Sequence, residues 1–167
     1  MQPFDNLKLY YAATRQVYVA YLVAGVLNVA LVWIFRNNSG AFIQGVLRFA
    51  LFLGIVYGFV GVSGVLRSNR FRQYLTQPEH KVEFFHYQAI REHRRRMRGI
   101  GMMAMLFFAS LIFCVYFMVI KKSPFAASAD EITFTGTLLG VALQAFLNVI
   151  LLWRLQRQGT IFLRGWV

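Results

Sequence analysis

Apolar positions in this chain gather into four blocks, 17–35, 41–66, 100–120 and 132–153, of 19, 26, 21 and 22 residues. None holds Pro, Asp or Glu. A membrane-crossing helix needs roughly 20 apolar residues, and a core helix of a water-soluble domain would interrupt such a block with a polar stripe. The pattern therefore predicts four transmembrane helices. The first block follows a lead carrying only Lys8 and Arg15, with no A-x-A sequence behind it. It also exceeds the roughly 7–15 apolar residues of a signal peptide, so it reads as a retained span.

Between the second and third blocks lies one long polar connection, 67–99, too short to bury a core of its own. Its only proline is Pro78. It reads as two helical arms, the second starting at Glu79, because a proline suits the first helical turn. Residues 4–15 read as a short interfacial helix anchored by Phe4, Leu7, Tyr10 and Tyr11. The expected fold is an all-α integral membrane protein: a single membrane domain over 1–167, four transmembrane helices in a bundle, and a cytoplasmic helical hairpin extending from the second and third.

Charge sets the orientation. Of 18 Lys and Arg, fourteen lie in the N-terminal lead, the 67–99 connection and the tail after Trp153, against Arg36, Lys121 and Lys122 in the other two connections. Cytoplasmic segments collect Lys and Arg, which places both termini in the cytoplasm and suggests a bacterial inner membrane. Asn37-Asn38-Ser39 matches a glycosylation tripeptide, but one of a kind that arises readily by chance.

Composition narrows the chemistry. The chain is 58% hydrophobic and 14% charged, with net charge +12, far from the roughly 25% charge of soluble domains. A single cysteine, Cys114, excludes an internal disulfide. His80, His86 and His93 all lie in the cytoplasmic connection, which argues against a haem inside the bundle. His86 and His93 fall on one apolar helix face with Val82, Phe85, Ala89, Ile90 and Met97. They stand seven residues apart, about 10.5 Å along the axis, too far to share a metal ion. Glu83 and His86 form an E-x-x-H, but di-iron bundles need two such pairs and further carboxylates. No phosphate-binding loop, zinc motif or nucleophile elbow occurs. The expectation is no metal, no cofactor and no catalytic set.

Intramembrane polar residues are few: Asn28, Gln44, Arg48, Gln144 and Asn148. Intramembrane charge is costly and usually functional, yet Arg48 lies only about 10 Å from the outer edge and can snorkel to the headgroups. No block holds an acid, so a carboxylate proton relay has no residues to work with. Asn28 and Gln144 come at a common depth near the midplane, and pairing between them is expected. Small residues form two helix-packing stripes, Gly54, Gly58 and Gly61 in the second block, Gly136 and Gly140 in the fourth. A heptapeptide echo, L-N-V-x-L-x-W at 27–33 and 147–153, reads as shared packing rather than an inverted repeat.

On the third helix, Arg91, Arg94, Arg95 and Arg98 share a face with Phe84 and Tyr87 and no acid. Like charges so spaced repel, and an anionic neighbour would relieve them: lipid headgroups of the cytoplasmic leaflet or an acidic protein surface. Nucleic acid fits less well, because four spans confine the arm to the membrane. The expected function is binding: an accessory subunit, or a protective, immunity-like regulator, of a membrane-active protein partner. The alternative is a homo-oligomeric channel or transporter lined by the intramembrane polar residues. A lipid-modifying enzyme using Glu83 and His86 is a third reading.

Overall fold

The computed structural model describes residues 3–37, 40–74, 82–119 and 128–163. They form four long helices: α1 (Pro3–Phe35), α2 (Ala41–Tyr74), α3 (Val82–Val119) and α4 (Ala129–Phe162). Each holds a stretch long and apolar enough to cross a membrane, and no strand occurs among the described residues. The start at Glu79, the role of Pro78, and Asn38 and Ser39 lie outside the described residues.

Every helix outruns its apolar block, because nothing in the flanking sequence stops it. Neither Pro nor Gly interrupts the chain between Asn6 and Val17, or between Val65 and Tyr74. The start of α4 is marked instead by a capping box: Ser128 Oγ accepts from the Glu131 N–H, and the Glu131 carboxylate accepts from the Ser128 N–H at 3.2 Å. Such a cap is worth about 1 kcal/mol.

Glycines decide how closely the helices approach. α1 packs on α2 where Gly25 faces Gly54 and Gly58; a Cβ on Gly25 would stand 2.8 Å from the Gly54 carbonyl oxygen. Lower down, Gly61 receives Leu22 and Gly64 receives the Tyr18 ring. α2 packs on α4 where Gly45 abuts the Thr133 carbonyl, and Gly136 and Gly140 abut the carbonyls of Phe42 and Val46. α3 packs almost wholly on α4.

At the end carrying Tyr74 and Val82, the architecture departs from a two-helix hairpin. The start of α1 and the end of α4 run alongside α2 and α3 there. Leu7, Tyr10, Tyr11, Phe71, Phe85, Ala89 and Leu163 form one buried cluster. Tyr11 stacks on Phe71 at 4.4 Å, meets Phe85 edge-on, and donates its hydroxyl to the Phe85 carbonyl at 3.1 Å. The expected interfacial helix over 4–15 is thus the first three turns of α1, and Leu7, Tyr10 and Tyr11 are core residues rather than membrane anchors. The reason is local: α2 and α3 offer Phe71 and Phe85 as an aromatic wall, which buries those rings better than a headgroup layer would.

Candidate functional site

Arg96 is the organising residue of the basic end. It lies on the face of α3 that holds Phe85, Ala89 and His93, three helical turns beyond Phe85, and only 7% of its surface is exposed. One guanidinium nitrogen donates to the Tyr10 hydroxyl at 2.9 Å and to the Leu155 carbonyl at 3.3 Å. The other donates to the Tyr18 hydroxyl at 3.1 Å and to the Glu92 carboxylate at 3.2 Å. Glu92 also pairs with Arg67. One buried cation therefore ties α1, α3 and α4 directly, and α2 through Glu92.

The electrostatics agree with this geometry. A buried charge is tolerated only when paired and hydrogen-bonded. Burial pulls the Arg96 pKa down, but the Tyr10 and Tyr18 oxygens more than offset it, and the group stays charged. Burial pushes the Tyr10 hydroxyl up, partly opposed by Arg96, so it remains a neutral phenol. Beside the hub, Gln156 Nε2 lies 3.2 Å from His93 Nε2. His93 Nδ1 faces Gly159 and has no hydrogen-bond partner among the described residues. Burial, and then the nearby Arg96, hold the His93 pKa below its usual value; burial does the same to His86.

Deeper in the bundle, the polar residues form a ladder. Asn28 Nδ2 donates to Gln144 Oε1 at 3.2 Å, and Gln144 Nε2 donates to Asn28 Oδ1 at 2.8 Å. The Tyr57 hydroxyl donates to the Gln144 carbonyl at 3.0 Å, and the Tyr21 hydroxyl to Asn148 Oδ1 at 3.1 Å. Gln44 and Arg48 do not join it: both are exposed on α2. The five polar residues picked out of the apolar blocks thus divide into three inside the bundle and two outside it.

The arm residues Phe84, Tyr87, Arg91, Arg94, Arg95 and Arg98 are all exposed on one side of α3, opposite the face that buries Arg96. Phe84 and Tyr87 each expose 64% of their surface. Met97, placed by its spacing on the apolar face, is instead 60% exposed, and Arg96 takes the buried position. Two features were missed in the sequence: Arg96, which the helical arithmetic puts between Phe85 and Ala89, and Tyr10 and Tyr18 as its partners. Treating every arginine of the run as surface charge hid the first; treating residues 4–15 as an interfacial helix hid Tyr10, and Tyr18 lay unremarked in the first apolar block.

Chemically, the hub and the ladder brace the helices against one another. Glu83 is exposed and His86 half-buried one turn on, and no group of three His, Cys, Asp or Glu side chains that could hold a metal ion forms among the described residues. Compared with known protein families, curated proteins and solved structures, the chain matches none.

Proposed function

We propose that this is an integral membrane protein that acts by binding: an accessory or protective subunit that holds a membrane-active protein partner along α3. The observation that carries the reading is the two-sided character of that helix. Its narrow buried seam, through Phe85, Ala89, His93, Arg96, Ser110 and Cys114, is fixed to α4 and braced by the Arg96 hub. The opposite face is open along the helix. Phe84, Arg91, Arg98, Met105, Ile112 and Val119 recur every seven residues and are all exposed, as are Tyr87, Arg94, Gly101, Phe108 and Val115 between them. A seam of that period is what a second helix packs against. Its apolar half suits a transmembrane helix, and its four arginines suit an acidic segment beyond the membrane. The charge bias supports an inner-membrane location with both termini cytoplasmic.

A photo-crosslinking residue at Met105 should capture one protein from native membranes, and Arg91→Gln/Arg94→Gln/Arg95→Gln should lose it. Full capture by that triple variant would reduce the arm to an orientation signal. Solute flux through liposomes holding the purified chain alone would favour a channel and overturn the reading. Single cysteines replacing Asn37 and Thr160, in a chain with Cys114 replaced by Ser, should label from opposite sides of the membrane, with position 160 inside.

A further inference from the structure

α1 packs more closely on α2 than on α4, and the looser side leaves a furrow. Its walls are Val19, Val23, Leu27 and Leu31 of α1 and Leu147 and Leu151 of α4, with Gln16 at one end, enclosing about 610 Å³. At Gln16 the furrow meets a second cavity of about 460 Å³, lined by Trp153, Arg154, Arg157 and Gln158. The two share Gln16 of α1, and along α4 Leu147 and Leu151 of the first and Arg154 and Gln158 of the second follow at helical spacing on one face. No acidic side chain lines either. From Gln16 to Leu31 the furrow runs about 22 Å at 1.5 Å per residue, beyond the middle of a hydrocarbon core about 30 Å thick. At its mouth the Arg157 guanidinium lies over the Trp153 ring, 5.9 Å from the centroid. Tryptophans are enriched at headgroup depth in membrane proteins, and this one holds an arginine over its ring.

We propose that this furrow is a binding site for one anionic phospholipid, an acyl chain lying between α1 and α4 and the phosphate held by Arg154 and Arg157. An apolar slot that reaches past the middle of the hydrocarbon core and ends in two arginines and no acid matches a molecule with an alkyl tail and a single negative head. A zwitterionic lipid fills the slot equally well but brings its own cation to the arginines. A soluble phosphate meets the arginines but leaves the slot empty. The site rests on the reading that the four helices cross a bilayer; it is separate from the α3 face, which lies on another helix.

The test is native mass spectrometry of the full chain, purified in a neutral detergent and offered phosphatidylglycerol or phosphatidylcholine. The wild type should retain phosphatidylglycerol preferentially. Arg154→Gln/Arg157→Gln should reduce that retention roughly tenfold or more, given the attraction of each basic residue near an anionic headgroup. Val23→Trp, at a position 52% exposed, should fill the slot and reduce retention of both lipids. Lys8→Gln/Arg70→Gln removes equal charge from the same end and should change nothing. Unchanged retention in either furrow variant, or an equal loss in the Lys8/Arg70 control, overturns the site. Alkaline washing of native membranes gives the separate readout: a chain that washes off refutes the membrane reading, whereas one that stays but retains no phosphatidylglycerol refutes only the site.

Discussion

Glu92 bridges two cations at the basic end, Arg67 and Arg96, and replacing it by Gln should be costly out of proportion to its exposure. Its side chain is 23% exposed and that of Arg96 is 7% exposed. Glu92→Gln leaves the Arg96 guanidinium with the Tyr10 and Tyr18 hydroxyls and the Leu155 carbonyl but with no counter-charge. Stranding one member of a fully buried pair costs about 3–5 kcal/mol. Glu92 is partly solvated, which scales that to about 2 kcal/mol. In a chain of this size, about 2–4 °C of melting temperature per kcal/mol gives a drop of about 4–8 °C. Arg96→Met should cost a similar amount, through the buried Tyr10 hydroxyl it strands. Combined, the two should cost clearly less than their sum, because the amide at position 92 then stands beside a thioether and no buried cation is left uncovered; Arg67, 33% exposed, loses its partner in Glu92→Gln and in the double variant alike. The assay is thermal melting of the four proteins of this cycle in one detergent at neutral pH. Additivity within about 0.5 kcal/mol, the mark of independent sites, would refute the hub as a coupled network.

The contrast between glycines should be sharp. Gly45→Ala and Gly136→Ala drive a methyl into a facing carbonyl and should lower stability by about 1–3 kcal/mol, whereas Gly58→Ala meets nothing within 4 Å and should melt at or above the wild type. Asn28→Leu removes two interhelical amide bonds, worth about 0.6 kcal/mol each; Asn28→Leu/Gln144→Leu should melt higher than Asn28→Leu alone, and a further drop would contradict the pairing. His93 has a depressed pKa in the folded chain, so the unfolded chain takes up its proton first. Stability should therefore be full above pH about 6.5 and fall as pH drops through that value; His93→Gln should flatten the decline of melting temperature between pH 7 and 5, and an unaltered slope would assign it elsewhere.

The count of long apolar helices was legible because it rests on block length alone, and the length needed to cross a bilayer leaves little freedom there. The Asn28–Gln144 contact was legible for a similar reason: depth in a membrane is a count of residues at 1.5 Å each, and two amides at one depth in an apolar bundle have few other partners. The extent of the helices was not. Residues 4–15 carry Lys8, Arg15 and the rings of Phe4, Tyr10 and Tyr11, a composition that an interfacial helix and a partner-packed helix share; only the presence of Phe71 and Phe85 at matching height separates them. Arg96 was hidden by its company, since Arg94, Arg95 and Arg98 are exposed and a run of cations reads as a solvated face. The side of α3 that carries Arg91 and Arg94 was placed by angle alone and is exposed.

The hub also has a bearing on how the chain is made. Arg96 belongs to the third helix, yet its partners Tyr10 and Tyr18 are synthesised before it and Leu155 about sixty residues after it. Until α4 has left the ribosome, the Arg96 guanidinium lacks its Leu155 contact and α3 lacks the helix on which it chiefly packs. A chain truncated before residue 155 therefore holds Arg96 through Tyr10, Tyr18 and Glu92 alone, without the carbonyl of α4. The last helix closes the ring, so the contacts that brace the finished molecule are complete only once α4 is in place.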